Sequence, residues 1–283
     1  MNGSGFHLDL LRRSEWICVA YFAWLAFLSL FVKVPPLRRW RLLAASAIVI
    51  GALFLLPRAA AFDPSRYVDM ARDWLPALLI LLGYLQSGRL TFPRQDQSFE
   101  KAFLRWDDYL FRTPLVRFAR EHFPGWLDAL LEFSYLQCYV IVPSGIAVLY
   151  LAHQRALVDR YWSVVLPAVF AAYGLTPLFP AQPPRKLPQD LLAVRKPSSL
   201  RRLNLWIHDH ASIKVNTFPS GHVAGAVSAS LALMQPLPPV GAFYMVIAVG
   251  IVLGSVRGRY HYSVDALLGA VVAVAAFLTV KLV

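Results

Sequence analysis

His261 and Asp265 are the pair of residues in this sequence that most clearly suggests chemistry. They lie four residues apart at the start of the last apolar stretch, so a helix would place both on one face. Asp265 could accept a hydrogen bond from one imidazole nitrogen and leave the other nitrogen as a free, basic nucleophile. The alternative is a pair that only caps the helix at an interface.

Ser220, Gly221 and His222 follow Pro219 and directly precede another apolar stretch. This position predicts the first turn of a helix, where free N–H groups and the positive end of the helix dipole face outward. Because Gly221 allows close approach to the backbone, a phosphate would fit there. The alternative is a simple helix cap by Ser220 with an interfacial histidine.

Arg185 follows a stiff Pro-Pro pair that would aim its side chain. Its guanidinium is always charged, and its fork of N–H donors matches phosphate oxygens. Lys186, Arg257 and Arg259 are further candidates for phosphate binding. Each of these residues could instead be a charge that faces solvent or lipid headgroups.

Together these residues make up the set that phosphoryl transfer through a phosphohistidine requires. His261 would attack phosphorus, and His222 would protonate the leaving oxygen. Arg185 and the backbone N–H groups of Ser220 and Gly221 would hold the charge on the remaining oxygens. Water or an alcohol would then accept the phosphoryl group.

The elements that must position these residues follow from the composition. The chain has 283 residues, of which 58% are hydrophobic and 16% are charged. Since an average soluble domain is only ~45–50% apolar, a soluble domain and a disordered chain are both excluded. We therefore predict an all-α, polytopic membrane protein built as a helical bundle.

About eight transmembrane helices are predicted from apolar stretches near ~20 residues in length. These cover roughly 16–32, 42–56, 74–87, 126–152, 161–179, 221–235, 239–256 and 262–280. Two segments are too polar to span. Residues 89–125 alternate aromatic and charged residues, as an amphipathic interfacial segment would, and residues 180–220 form a basic loop that carries part of the candidate site.

The charge distribution suits a phosphate partner in the membrane. The chain carries 28 Lys and Arg against 16 Asp and Glu, and 20 of the 28 fall on the side away from the termini. This side also holds all three candidate stretches, at 181–186, 217–222 and 255–265. Headgroups are the expected partner, because no basic helix or aromatic-basic module that would bind nucleic acid is present.

Two other groups of polar residues allow more than one interpretation. Glu132, Tyr135 and Tyr139 recur at helical spacing, so this face could meet a headgroup or could pack against other helices. The run from His208 to His210 could ligate a metal, but a polar loop near headgroups is the preferred interpretation. No HxxxH or HExxH spacing occurs, so neither a metal nor another cofactor is predicted.

The sequence resembles a known superfamily at two of these stretches. PSGH at 219–222 and HYSVD at 261–265 resemble the second and third signature stretches of the type 2 phosphatidic acid phosphatase superfamily. That superfamily also contains vanadium haloperoxidases, glucose-6-phosphatase and the sphingolipid and inositolphosphoceramide synthases. The resemblance implies that His261 is the nucleophile, Asp265 its partner and His222 the acid. These are the roles that the chemistry of the residues also suggests.

The resemblance covers roughly residues 170–280 and also implies the division of the chain. A six-helix catalytic core over 72–283 would follow an N-terminal pair of transmembrane helices in 1–71. Where the phosphatases carry a lysine and an arginine that bind phosphate, this chain has Leu178 and Ser255. The residues that could replace these two are Lys186, Arg257 and Arg259.

The PPR element at 183–185 and the RYHY stretch at 259–262 are closer to the inositolphosphoceramide-synthase branch. From the candidate site as a whole, our first prediction is an integral membrane lipid phosphatase that hydrolyses a lipid phosphate or diphosphate ester. A lipid phosphotransferase with an alcohol acceptor is the second interpretation, and a non-catalytic lipid-binding or transport protein is the third.

The predicted location is a bacterial cell membrane, and the predicted partners are the bilayer and a lipid phosphate. The membrane face that carries the site is predicted differently by the charge distribution and by the resemblance. Charge counting by the positive-inside rule favours the cytoplasmic face, whereas the resemblance implies the opposite face. The identity of the lipid, the acceptor and the oligomeric state do not follow from the sequence.

Overall fold

The computed structural model describes residues 11–62, 65–111, 124–187 and 198–282. This part of the chain is all-helical and contains no β-strand beyond one isolated bridge between Ala181 and Asn216. Its α-helices, numbered in chain order, are α1 (Arg13–Phe31), α2 (Pro36–Phe62), α3 (Arg66–Leu90), α4 (Ser98–Phe111), α5 (Gly125–Leu136), α6 (Ile141–Leu151), α7 (Val158–Leu175), α8 (Ser199–His210), α9 (Gly221–Met234), α10 (Pro238–Arg257) and α11 (Ser263–Leu282).

Five of the described helices are long and apolar enough to cross a membrane. They are α1, the Pro36–Arg58 part of α2, the Arg155–Leu178 segment around α7, α10 and α11, and α5 with α6 makes a sixth if the bent pair is one span. These helices confirm a multi-pass membrane protein. Helix α3 carries charges at both ends and α9 has only 14 residues, so the count of eight spans stays a prediction.

The predicted span over 126–152 is broken in the structure. Its two halves, α5 and α6, are bent by 67° at a short turn over Gln137–Tyr139. Pro143 explains the break, because its ring would clash with the carbonyl of Tyr139 in a continuous helix and it has no N–H to donate. In the first turn of α6 the missing N–H costs nothing.

Helix α9 lies in the centre of the C-terminal half of the bundle, where it packs against α7, α10 and α11. Ten of its 14 residues are buried, and eight of the 14 are glycine, alanine or serine. Gly269 of α11 faces its start, and a Cβ on Gly269 would lie 2.6 Å from the carbonyl oxygen of Ser220. This glycine therefore allows the two helices to meet closely at the ends that carry His222 and Asp265.

The N-terminal helices pack directly on this bundle. The ring of Tyr21 in α1 stacks on Phe170 of α7, with 3.9 Å between centroids, and its hydroxyl donates to the carbonyl of Gly83 in α3 at 3.0 Å. A Cβ on Gly83 would meet the Tyr21 ring at 2.5 Å. The first helix is thus held by close aromatic packing and one buried hydrogen bond.

The described part of the 89–125 segment is helix α4, which is strongly amphipathic. Phe103 is buried and stacks on Phe218, with 4.3 Å between centroids, whereas Tyr109 is exposed. Asp107 accepts hydrogen bonds from the backbone N–H groups of Ser263 and Val264 at 2.9 and 2.8 Å, so α4 caps α11. The second half of the predicted amphipathic segment lies outside the described residues.

The 180–220 segment contains a helix that the sequence analysis did not predict. Residues 181–187 are mostly irregular, residues 188–197 lie outside the described part, and α8 follows over Ser199–His210. Ser198 caps α8 by accepting from the N–H of Arg201 at 3.2 Å. Because α8 buries only one side, its apolar residues form no continuous run in the sequence.

Candidate active site

The structure brings the three predicted stretches together at one end of the bundle. The N–H of Ser220 donates to the carbonyl of Asp265 at 3.0 Å, and the N–H of Arg185 donates to the carbonyl of Arg259 at 3.0 Å. These bonds tie the loops that precede α9 and α11 to the 181–187 segment. Residues distant in sequence therefore share one site.

His261 and Asp265 are arranged as their spacing predicts. Nδ1 of His261 lies 3.3 Å from Oδ2 of Asp265, and both side chains are buried. The amide of Asn216 donates to the same Oδ2 at 2.5 Å. Two donors on one oxygen fix the orientation of the carboxylate, so Nδ1 of His261 is held toward it and Nε2 is turned away.

His222 contacts the nitrogen of His261 that Asp265 leaves free. Nδ1 of His222 lies 3.4 Å from Nε2 of His261, and the ring planes are 75° apart. A phosphorus atom poised for attack lies about 3–3.5 Å from its nucleophile, so a bound phosphate would have to push the two rings apart. The arrangement can place a nucleophile and an acid on one phosphoryl group.

The first turn of α9 differs from the predicted anion site. The N–H of Gly221 donates to Oγ1 of Thr217 at 3.2 Å, and the N–H of Ser220 already binds the carbonyl of Asp265. Oγ of Ser220 accepts from Val223 as a helix cap. These two backbone donors are therefore used within the protein, and a phosphate would have to displace their present partners.

Arg185 lies within the site. Its guanidinium carbon lies 5.7 Å from the centroid of the Tyr260 ring, in cation–π contact. Burial lowers the pKa of Arg185, although a guanidinium stays charged at any working pH. Lys186 is more exposed, and Nζ donates to the carbonyl of Lys214 at 3.4 Å. Burial, followed by the charges of Arg185 and Lys214, lowers the pKa of Lys186.

Arg257 and Arg259 lie differently from what their spacing suggests. Arg257 binds both carboxylate oxygens of Asp128, at 2.7 and 3.2 Å. A shared helical turn with His261 does not form, because α10 ends at Arg257 and the N–H of His261 donates instead to the carbonyl of Ser255. Arg259 has a left-handed backbone with φ of 57° and provides the carbonyl that receives the N–H of Arg185.

Tyr135 and His208 are site residues that the sequence analysis did not identify as such. The hydroxyl of Tyr135 lies 3.4 Å from Nδ1 of His222 and 3.1 Å from Nε2 of His208. Both side chains are buried. The helical spacing of Glu132, Tyr135 and Tyr139 was the sequence signal that could have identified Tyr135. Tyr139 also contacts the His222 ring.

Glu132 packs against other helices instead of facing a headgroup. Its carboxylate accepts from Arg201 at 2.8 Å and Asn204 at 2.7 Å, both in α8, and from the hydroxyl of Tyr260 at 2.6 Å. This network fastens α8 across the site. It also explains why His208, on the same helix, reaches Tyr135.

The two histidines of α8 do not converge on a common point. His208 is buried against Tyr135, whereas His210 is exposed and its Nδ1 lies 2.8 Å from the carbonyl of Trp206. Within the described ranges no three His, Cys, Asp or Glu side chains are grouped so that they could hold a metal ion.

One of three comparisons with known proteins found a match. A family model described as the PAP2 superfamily matches residues 101–279, well over half of the chain, and includes every candidate site residue. Searches of curated proteins and of solved structures found no match. Members of this superfamily are generally phosphatases or phosphotransferases. The chain is a multi-pass membrane protein that belongs to the PAP2 superfamily.

Proposed function

We propose that this protein is an integral membrane lipid phosphatase that hydrolyses a lipid phosphate or diphosphate ester through a phosphohistidine. The contact between Nε2 of His261 and Nδ1 of His222, with Asp265 behind the nucleophile, carries the proposal. Membership in the PAP2 superfamily supports phosphoryl chemistry in general, and the apolar helices support a lipid substrate.

In the first step Nε2 of His261 attacks phosphorus and the bond from phosphorus to the lipid oxygen breaks. Protonated His222 gives its proton to that oxygen, so the lipid leaves as an alcohol or, from a diphosphate, as a monophosphate. Asp265 stabilises the positive charge that develops on the His261 ring. The guanidinium of Arg185 offsets the charge on the phosphoryl oxygens.

The second step is the reverse of the first, with water in place of the alcohol. His222, now neutral, takes a proton from water as the water oxygen attacks phosphorus, and the bond between phosphorus and Nε2 breaks. Inorganic phosphate leaves and His222 is protonated again. Each bond made on phosphorus is matched by one broken, and one proton passes through His222 in each step.

The bend between α5 and α6 supports entry of a lipid from the side. Tyr139 and Val140 lie at the bend and are 40% and 54% exposed, and the ring of Tyr139 contacts His222. A lipid tail next to the bend would therefore lie beside the reacting group. The apolar surface of the helices would contact the remainder of the lipid tail.

Transfer to an alcohol is the second candidate function. Its support is the contact between the two elements that resemble inositolphosphoceramide synthases: Arg185 of the PPR element lies on the ring of Tyr260 in the RYHY stretch, and its N–H binds Arg259. In that case an alcohol oxygen, in place of water, would take the phosphoryl group from His261.

The test is a screen of lipid phosphates and diphosphates with purified protein in detergent, with and without added alcohols. Hydrolysis predicts release of inorganic phosphate at a rate that acceptors do not change, whereas transfer predicts a phosphorylated alcohol. His261→Ala should lower turnover by about 10³-fold or more. His210→Ala is the matched control, since this histidine is exposed on the outer side of α8. If the wild type turns over no lipid phosphate or diphosphate and lipid binding survives His261→Ala, the protein is a non-catalytic lipid binder.

A further inference from the structure

Tyr135 and His208 form a polar chain that ends on His222. The hydroxyl of Tyr135 lies between Nε2 of His208 and Nδ1 of His222, at 3.1 and 3.4 Å. We infer that Tyr135, oriented by His208, is a positioning residue that holds a proton on Nδ1 of His222, the nitrogen that faces His261. The catalytic meaning of this inference rests on the proposed function, since it concerns the acid of that reaction.

His208 can orient Tyr135 because it is uncharged. Burial lowers the pKa of His208 to about 2, and the charge of Arg185 acts in the same direction. A neutral imidazole has one acceptor nitrogen. With Nε2 of His208 as that acceptor, Tyr135 donates its hydroxyl proton to it and presents oxygen lone pairs to His222.

The Tyr135 ring is held so that its hydroxyl stays between the two histidines. It stacks on Tyr260, with 4.3 Å between centroids and 12° between planes, and Tyr260 is fixed by a 2.6 Å hydrogen bond to Glu132. His208 stacks on the same Tyr260 ring at 4.8 Å. This stacking therefore limits rotation of the hydroxyl away from His222.

The other groups that face His222 do not replace Tyr135 as an acceptor. Arg185 carries only donors, Tyr139 meets the imidazole through its ring, and Tyr173 packs on the neighbouring Gly221. His261 lies at 3.4 Å in the free protein, but its Nε2 loses its lone pair once a phosphoryl group is attached. Tyr135 is then the acceptor in contact with Nδ1 of His222.

The variant Tyr135→Phe tests the inference because it removes the hydroxyl and keeps the stacked ring. Tyr244→Phe is the matched control, since it removes a buried hydroxyl that donates to Ser144 at 2.9 Å, away from the site. The rate of phosphoenzyme formation is measured in single turnovers with dodecyl phosphate and with 4-nitrophenyl phosphate. An alkoxide leaving group needs a proton from His222, whereas nitrophenolate leaves with little help.

We expect Tyr135→Phe to slow reaction of dodecyl phosphate by about 10–100-fold and of nitrophenyl phosphate by less than about threefold. The falling limb of the rate against pH should move to lower pH, because a protonated His222 loses an acceptor. Equal losses on both substrates with an unchanged pH profile would show a merely structural hydroxyl and overturn the inference, as would a Tyr244→Phe variant with the same selective loss.

A second measurement needs no turnover. Nitrogen-15 NMR of histidine-labelled protein, with His222 assigned by His222→Gln, reports which ring nitrogen carries the proton. We expect the proton on Nδ1 in the wild type and, in the His261→Ala background that lacks the competing acceptor, a shift toward Nε2 when Tyr135→Phe or His208→Phe is added. A wild-type proton on Nε2, or no change in either variant, would overturn the inference. If the expected tautomer is present but no phosphoenzyme forms, the proposed function fails and the hydrogen-bond assignment stands.

Discussion

Two polar clusters lie at opposite ends of α7 and differ in how their charges are satisfied. The site cluster comprises Asn216, His222, His261 and Asp265, and the opposite cluster comprises Arg12, Asp73, Tyr150 and Arg155. Helix α7 runs between them, with Trp162 donating to the carbonyl of Asp73 and Tyr173 packed on Gly221.

Asp73 has both carboxylate oxygens occupied. Arg12 binds Oδ1 at 2.5 Å, and Arg155 and Tyr150 bind Oδ2 at 2.7 and 2.5 Å. Nearby, Arg72 holds Glu15 through two bonds of 2.7 and 2.8 Å. Paired charges of this kind fasten α1, α3 and α7 together and leave little capacity for a ligand.

The site cluster keeps unused hydrogen-bonding capacity. Oδ1 of Asp265 is buried and has no hydrogen-bond partner among the described residues, and no described carboxylate lies within ion-pair distance of Arg185. Leaving such groups unsatisfied costs stability, and a bound ligand could satisfy them. On the proposed function, one end of the bundle stabilises the fold and the other carries out the chemistry.

The largest loss of activity should come from neutralising Asp265 in the site cluster. Asp265→Asn keeps the shape of the side chain but loses the charge that stabilises a positive His261 ring, so kcat should fall by about 10³–10⁴-fold. The melting temperature should change by only a few degrees, because Asn216 can still bond to the new side chain. Phosphate release and thermal unfolding in the same detergent check both effects. A kcat within tenfold of the wild type would contradict the assignment of Asp265.

Substitutions of Arg185 and Arg257 should distinguish a charge that binds the substrate from a charge that only stabilises the fold. Arg185→Lys should lower kcat/KM by about 10–100-fold, because lysine lacks the fork of donors that fits phosphate. Arg257→Lys should change it by less than about threefold, since Asp128 is its partner. Steady-state kinetics of the two variants test this, and equal losses would place Arg257 in the phosphate site after all.

Removing the carboxylate at the opposite cluster should affect stability instead of chemistry. Asp73→Ala leaves Arg155 without its carboxylate partner and Arg12 with only Asp69, at 3.5 Å. Breaking a fully buried pair costs about 3–5 kcal/mol. Because these arginines are 26% and 38% exposed, we expect solvent screening to reduce the loss to about 1–3 kcal/mol. Denaturant unfolding measures the loss, and kcat per folded molecule should stay within about twofold. A selective loss of kcat would break the comparison.

The smallest expected effect is a pH dependence of stability from His208. Since burial lowers the pKa of His208 to about 2, the unfolded chain binds a proton below its ordinary pKa of 6.5 and the folded protein does not. Stability should therefore fall as pH falls below 6.5, by about 1–2 kcal/mol at about pH 5. Unfolding curves of His208→Gln should lack this part of the slope, and an identical slope in both proteins would contradict it.

The parts of the site that the sequence predicts are those set by short spacing. His261 and Asp265 meet because one helical turn separates them, and the start of α9 is marked by Pro219 and Ser220. The contact of His222 with His261 depends on α9 and α10 running in opposite directions, since α10 then returns the chain to the face where α9 begins. The membrane class likewise follows from composition alone.

The parts that were missed depend on contacts between distant segments. Tyr135 and His208 are 73 residues apart, and only the docking of α8 onto α5 joins them. Arg257 turns to Asp128 because the chain leaves the helix just after it, which no local pattern predicts. The 67° bend between α5 and α6 was foreseeable from Pro143, but the apolar run concealed it.

The most direct test of the central claim is to trap the phosphoenzyme. Purified protein is mixed with a ³²P-labelled lipid phosphate, quenched in base, where phosphohistidine survives, and digested for mass spectrometry. The account predicts one phosphate on His261, absent from His261→Ala and retained in His210→Ala. Turnover without any phosphohistidine, or a phosphate on another residue, would contradict it.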